Sequence, residues 1–122
     1  MKKILIVDDS REIRHLVKTT LETADYKVIE APNGAKAIEY AKKYKPDVII
    51  MDLMMPGMDG IEATRQIKLD PDTTKCQVII LTGSEQNKYD KAIEAGANEL
   101  FIKPFSPLDL ISKVDQILGS VV

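Results

Sequence analysis

Apolar residues recur along the chain in two alternating rhythms. Short runs rich in β-branched residues read as strands: Ile4 to Val7, Lys27 to Glu30, Val48 to Met51, Val78 to Leu81 and Leu100 to Ile102. The longer stretches between them carry the helical period. Ile13, Leu16, Val17, Leu21 and Ala24 form one apolar face, and Ala37, Ile38 and Ala41 form the next. Asp59 followed three residues on by Glu62 is a capping pattern that opens a third helix. Ser106, Pro107 and Asp109 stand at positions suited to N-cap, N1 and N3 of the last one, which is expected to bury Leu108, Ile111, Val114, Ile117 and Leu118. The fourth helix, within "SEQNKYDKAIEAG", has only a thin apolar face of Tyr89, Ala92, Ile93 and Ala95. It is the weakest of the five and the candidate for mobility.

Strands alternating with helices of about ten residues imply right-handed crossovers and a single parallel sheet covered on both faces. Three of the strands lack polar alternation, as strands buried on both sides should. The expected fold class is therefore α/β, a five-stranded parallel sheet with helices on both faces. In such sheets ligands bind at the carboxyl ends of the strands, beside the point where strand order reverses.

Composition narrows the picture further. The 122 residues make one domain, 1–122, with no room for a second. Seventeen basic and nineteen acidic residues leave a net charge of -2, without the basic stripe that nucleic-acid binding needs, so no direct nucleic-acid partner is expected. The apolar runs are too short for a membrane span, and "MKKILIVDDS" reaches acid before a signal-peptide core is complete. A cytoplasmic protein without membrane insertion is the expectation. The single cysteine, Cys76, has no Cys or His motif around it and reads as an ordinary thiol near a strand start. His15, among Arg11, Arg14 and Lys18, reads as an exposed side chain rather than a phosphate donor. Met51, Met54, Met55 and Met58 read as gap-filling core and loop residues.

The chemistry gathers at the strand ends. The first strand runs into Asp8 and Asp9, the third into Asp52, the fourth into Thr82, Gly83 and Ser84, and the fifth into Lys103 and Pro104. Asp8 and Asp9 could cap the first helix, and Asp52 could form a turn, but Pro56, Gly57 and Gly60 already supply one. Carboxylates about 4 Å apart repel by about 4 kcal/mol at an effective dielectric of about 20, so a cation is needed. A hard divalent ion suits oxygen donors, and Mg²⁺ is the natural choice because it needs few carboxylates and leaves room for phosphate oxygens. A carboxylate nucleophile, a metal site, a hydroxyl and a lysine are the parts that phosphoryl transfer to an aspartate requires. Asp52 is the expected nucleophile, with Asp9 and Asp52 on the metal and Lys103 and Thr82 on the phosphoryl oxygens.

At these residues the chain resembles a known family. "ILIVDDS", "VIIMDLMMPGMDG", "VIILTGS" and "GANELFIKPFSP", in this order and spacing, are similar to the receiver domain of two-component response regulators, over essentially the whole chain. The resemblance implies a (βα)5 flavodoxin-like receiver fold and a phosphoacceptor rather than an enzyme. It makes Asp52 the phosphoacceptor, places Asp9, Asp52 and the Met54 carbonyl on Mg²⁺ with Asp8 acting through water, and makes Thr82 and Lys103 the switch hydroxyl and the phosphate-binding lysine. It also implies a cis Lys103-Pro104 bond. The implied partners are a histidine kinase or histidine phosphotransfer protein, docking on the first helix around Ile13 and on Pro104 and Phe105. A downstream protein effector would bind the face of the fourth helix, fifth strand and fifth helix. A monomer or weak phosphorylation-dependent dimer fits.

Two positions depart from the family or tune it. Many receivers hold Tyr or Phe three residues before the lysine, where this chain has Leu100 with Phe101 beside it; the aromatic half of the switch is missing. Met54 and Ser84 fall where the family varies and where phosphate lifetime is tuned by water access. The rivals are an aspartyl phosphatase, which needs a second acid where Met54 stands, a nucleotide-binding module, which needs a phosphate-cradling loop, and a pseudo-receiver acting as an interaction platform. A receiver cut from a larger regulator is a further alternative, and the start at Met1 and the end just past Gly119 lean toward a natural single-domain protein.

Overall fold

The computed structural model describes residues 2–83, 88–103 and 106–119. Five strands, β1 (Lys3–Val7), β2 (Lys27–Ala31), β3 (Val48–Asp52), β4 (Gln77–Thr82) and β5 (Glu99–Ile102), form one parallel sheet in the order β2-β1-β3-β4-β5. They alternate with α1 (Arg11–Glu22), α2 (Gly34–Tyr44), α3 (Gly60–Leu69), α4 (Tyr89–Glu94) and α5 (Pro107–Leu118). The expected strands agree with the observed ones to within a residue at either end.

Side chains that alternate along the strands sort into two apolar layers. Ile4, Ile6, Ile50, Ile79 and Leu81 pack with Val17 and Leu21 of α1 and Leu110 and Val114 of α5. Leu5, Ile49, Met51 and Ile80 face the other way, against Ala37 and Ala41 of α2, Ile61 and Ile67 of α3 and Ala92 of α4. Strand β3 is buried along its whole length, which is why it reads as a continuous apolar run. The chain winds one way from β1 to β2 and the other way from β1 to β3, so the reversal point lies between β1 and β3.

Helix starts follow local chemistry. Ser10, Asn33, Asp59 and Ser106 each accept a hydrogen bond from the backbone N–H three residues on, at 3.3, 2.9, 2.8 and 3.1 Å. Ser10 therefore takes the cap that Asp8 or Asp9 could have taken.

Three apolar faces differ from expectation. Leu16 is 55% exposed because it sits about 100° round α1 from Val17, off the stripe that meets the sheet. In α5 the buried leucine is Leu110, and Leu108, two positions earlier and about 160° round, is 75% exposed. Helix α4 is six residues long and buries only Ala92, with Tyr89 and Ile93 exposed. Ala24 lies beyond the end of α1 but still packs on the core.

Candidate functional site

The strand register brings the polar ends together. Val7 of β1 lies beside Ala31 of β2 and Met51 of β3, Asp52 lies beside Leu81 of β4, and Thr82 lies beside Ile102 of β5. The residues next along the chain, Asp8, Asp9 and Lys103, thus share one edge with Asp52 and Thr82. One carboxylate oxygen from each of Asp8, Asp9 and Asp52 lies within 4.8 Å of the others, with Asp8 and Asp52 buried and Asp9 exposed. Lys103 Nζ stands 3.2 Å from Asp52 Oδ1, and the Lys103 N–H donates to the Thr82 carbonyl at 2.7 Å. Thr82 itself is buried.

Asp8 is held through most of its polar atoms. Its N–H donates to the Ala31 carbonyl at 3.2 Å, its Oδ1 accepts from the Ser10 N–H at 2.8 Å, and its carbonyl accepts from Arg14 Nη1 at 2.7 Å. Its Oδ2 is buried and finds no hydrogen-bond partner among the described residues, an arrangement that ordinarily costs a carboxylate dearly. Burial pushes the Asp8 carboxyl above its ordinary value, the Ser10 N–H pulls it back, and the neighbouring Asp52 raises it again while Lys103 opposes. An uncompensated buried oxygen among three carboxylates, with Lys103 directed at Asp52, is a donor set that fits a hard divalent cation.

The loop from β3 to α3 shapes the mouth of this edge. Leu53 and Met55 turn inward and are buried, whereas Met54 between them is 54% exposed, its sulfur 3.8 Å from Lys88 Nζ. Pro56 and Gly57 make a tight turn in which Gly57 has φ +79°, the conformation a type II turn asks of its third residue. The Gly60 N–H closes the loop on the Leu53 carbonyl at 3.0 Å. Met58 fills space against Gly34 at the start of α2.

Leu100 is half-buried on the layer with α2, α3 and α4, and Phe101 packs on the opposite layer with α1 and α5. Alternation along β5 keeps Phe101 from standing in for the missing aromatic. His15 is exposed. Cys76 is buried, and its thiol is pushed up mainly by that burial, with nearby Lys68 acting against it, so it is a poor nucleophile. Ser84, Pro104 and Phe105, and with them the Lys103-Pro104 bond, lie outside the described residues. Arg14, grouped by sequence with the exposed charges around His15, instead has a side chain only 15% exposed and pairs with Glu30. No local spacing reveals this, because Glu30 comes from the neighbouring strand.

The response regulator receiver domain model matches residues 4–115. The chain is 41% identical over 119 residues to the phosphate regulon transcriptional regulatory protein PhoB of Pseudomonas aeruginosa, covering 96% of this chain and 52% of that protein. It is 37% identical over 119 residues to the chemotaxis protein CheY of Thermotoga maritima, covering 95% and 97%. Its fold matches the receiver domain of a sensor histidine kinase from Pseudomonas aeruginosa with TM-score 0.89 and 28% identity, covering 97% and 98%; that structure holds a magnesium ion coordinated in its active-site cleft. The chain spans about half the length of several curated relatives it matches and nearly all of others.

The chain belongs to the response regulator receiver domain family. It is a phosphoacceptor signalling domain with the acidic site of Mg²⁺-dependent receivers, a class that occurs in response regulators and within histidine kinases. Among the described residues no helix is long and apolar enough to cross a membrane.

Proposed function

We propose that Asp52 is the residue that takes the phosphoryl group, in the cytoplasm, from a phosphohistidine on a kinase or phosphotransfer protein. The observation that carries this reading is the placing of a buried strand-end carboxylate within 4.8 Å of two others and 3.2 Å from a lysine. An Asp52 oxygen attacks phosphorus in line, the P–N bond breaks, and the departing imidazole takes up a proton. Asp8, Asp9, Asp52 and the Met54 carbonyl would hold Mg²⁺, which when bound offsets the charge of the phosphoryl oxygens. Lys103 is already directed at Asp52 and would pair with a phosphoryl oxygen. The Thr82 hydroxyl would donate to another, drawing the end of β4 inward. That contact exists only in the phosphorylated state, so it can shift the balance between two surface states.

The effector surface would be the face of α4, β5 and α5, where Tyr89, Ile93, Ile102 and Leu108 are exposed. The kinase or phosphotransfer protein would dock on α1 around Ile13. Residues 1–122 act on this reading as a single receiver unit, a monomer or weak dimer when phosphorylated. Leu100 leaves the switch without its usual ring, so the threonine carries the coupling.

A phosphorylated histidine kinase mixed with the protein and Mg²⁺ should lose its label to the wild type and keep it when offered Asp52→Asn. Retention of label by a panel of such donors in the presence of wild type would overturn the reading in favour of a phosphorylation-independent module.

Lifetime of the acyl phosphate is the second expectation. Met54 is an apolar side chain at the mouth of the site and should hinder an attacking water, as Ser84 is expected to influence from the β4 side. Met54→Asn, which can hydrogen-bond and orient a water, should dephosphorylate faster by about 10-fold. Decay of the isolated phosphoprotein with Mg²⁺ present measures it, and equal or slower loss from the variant would defeat the idea.

A further inference from the structure

The cation with the most direct hold on the acidic edge, apart from Lys103, does not touch a carboxylate there. Arg14 reaches from α1 to the backbone carbonyl of Asp8 with Nη1 at 2.7 Å, while its Nε donates to Glu30 Oε1 at 3.3 Å. Glu30 is also approached by Lys18 at 3.8 Å, so the guanidinium is aimed by a partner that is itself held in place. The fork geometry matters: one arm grips β2 through Glu30 and the other grips the turn that follows β1.

We infer that Arg14 is a positioning residue for the divalent ion, fixing the Asp8-Asp9 turn so that both carboxylates face Asp52. The inference rests on the metal site proposed above. With the Asp8 N–H on Ala31, its Oδ1 on Ser10 and its carbonyl on Arg14, rotation of the peptide or the side chain is blocked on three sides, and the one carboxylate oxygen left over is Oδ2. Asp9, exposed and next in the chain, inherits its direction from the same peptide. Supports of this kind typically decide about 10- to 100-fold of a metal site's affinity.

The sign of the effect separates positioning from simple charge. A guanidinium near a cation site repels the cation, so if Arg14 acted only as a charge, its removal would tighten metal binding. If it acts by holding the turn, removal weakens binding. Arg14→Met keeps most of the aliphatic stem and removes both grips. Mn²⁺ titration of the whole chain, followed by electron paramagnetic resonance, should show affinity about 10-fold weaker than wild type. Arg14→Lys, which cannot make both contacts at once, should fall between them. Amide exchange without metal supplies the second readout: the Ser10 N–H, bonded to Asp8 Oδ1, should exchange faster in Arg14→Met while N–H groups in β3 keep their protection.

Equal or tighter Mn²⁺ binding by Arg14→Met, or unchanged Ser10 exchange, would overturn the inference. Should that variant fail to fold, Glu30→Gln leaves Arg14 in place without its ionic partner and should move both readouts in the same direction; no movement would count equally against it. A wild type that binds no Mn²⁺ would instead remove the metal reading, and the Ser10 exchange would still judge the clamp.

Discussion

Lys103→Met should be phosphorylated by a small donor about 100-fold more slowly than the wild type at saturating Mg²⁺. Asp52 is 7% exposed and shares its edge with two further carboxylates, so an incoming phosphoryl group meets strong negative charge. Lys103 Nζ, 3.2 Å from Asp52 Oδ1, is the protein cation positioned to meet it. A preorganised donor aimed at developing charge in a largely water-excluded site is worth far more than the same group in water, and losing one such donor typically lowers rates by about 10²- to 10³-fold. Methionine keeps an unbranched apolar stem out to Cε and removes the ammonium. The same change should tighten divalent-ion binding, since a competing cation is gone, and this separates loss of transition-state stabilisation from loss of the metal site. A wild-type rate of adduct formation in Lys103→Met would show that Lys103 serves the resting carboxylate alone.

Gly60→Ala should lower stability by about 3 kcal/mol, a large loss for one methyl group. A Cβ at this position would lie 2.4 Å from the Asp52 carbonyl oxygen and 3.1 Å from both Leu53 Cα and Met51 Cγ. Two of these three neighbours belong to backbone and cannot swing aside as a flexible side chain would. Helix α3 would have to withdraw from the end of β3, and the bond from the Gly60 N–H to the Leu53 carbonyl would lengthen with it. Because Asp52 stands at that strand end, its carboxylate should lose register with Asp8 and Asp9, and divalent-ion affinity should fall together with stability. Urea unfolding of both proteins measures the first effect; a midpoint and slope equal to wild type would contradict the close approach of α3 to β3.

Much of this could be read from residue order because parallel strands buried on both faces have little freedom. "VIIMD" and "VIILT" admit few polar positions, and the rule that ligands collect at carboxyl ends then points to Asp52, Thr82 and Lys103 before any coordinates are known. What escaped reading depends on angles or on distant partners. Leu16 and Leu108 belong to apolar patterns but sit at the edge of their stripes, where a turn of about 100° or 160° decides between core and solvent. Leu110 lies outside the apolar face that the spacing from Leu108 predicts for α5, yet it is the leucine buried there. The cap of α1 fell to Ser10, leaving the two aspartates before it for the site. Arg14 has the most to teach here: among three basic residues on one helix, only the three-dimensional meeting with Glu30 and the Asp8 carbonyl distinguishes it. The opposite directions of Leu100 and Phe101 likewise follow from the sheet, and they turn an apparent near-substitution for an aromatic switch into its absence.

The most direct test of the account is intact mass after incubation with acetyl phosphate and Mg²⁺. The wild type should gain one phosphoryl group, Asp52→Asn should gain none, and chelation of the metal should suppress the gain in the wild type. An adduct of the same size on Asp52→Asn, or none on the wild type with either acetyl phosphate or a phosphorylated histidine kinase as donor, would contradict the assignment of Asp52 as phosphoacceptor.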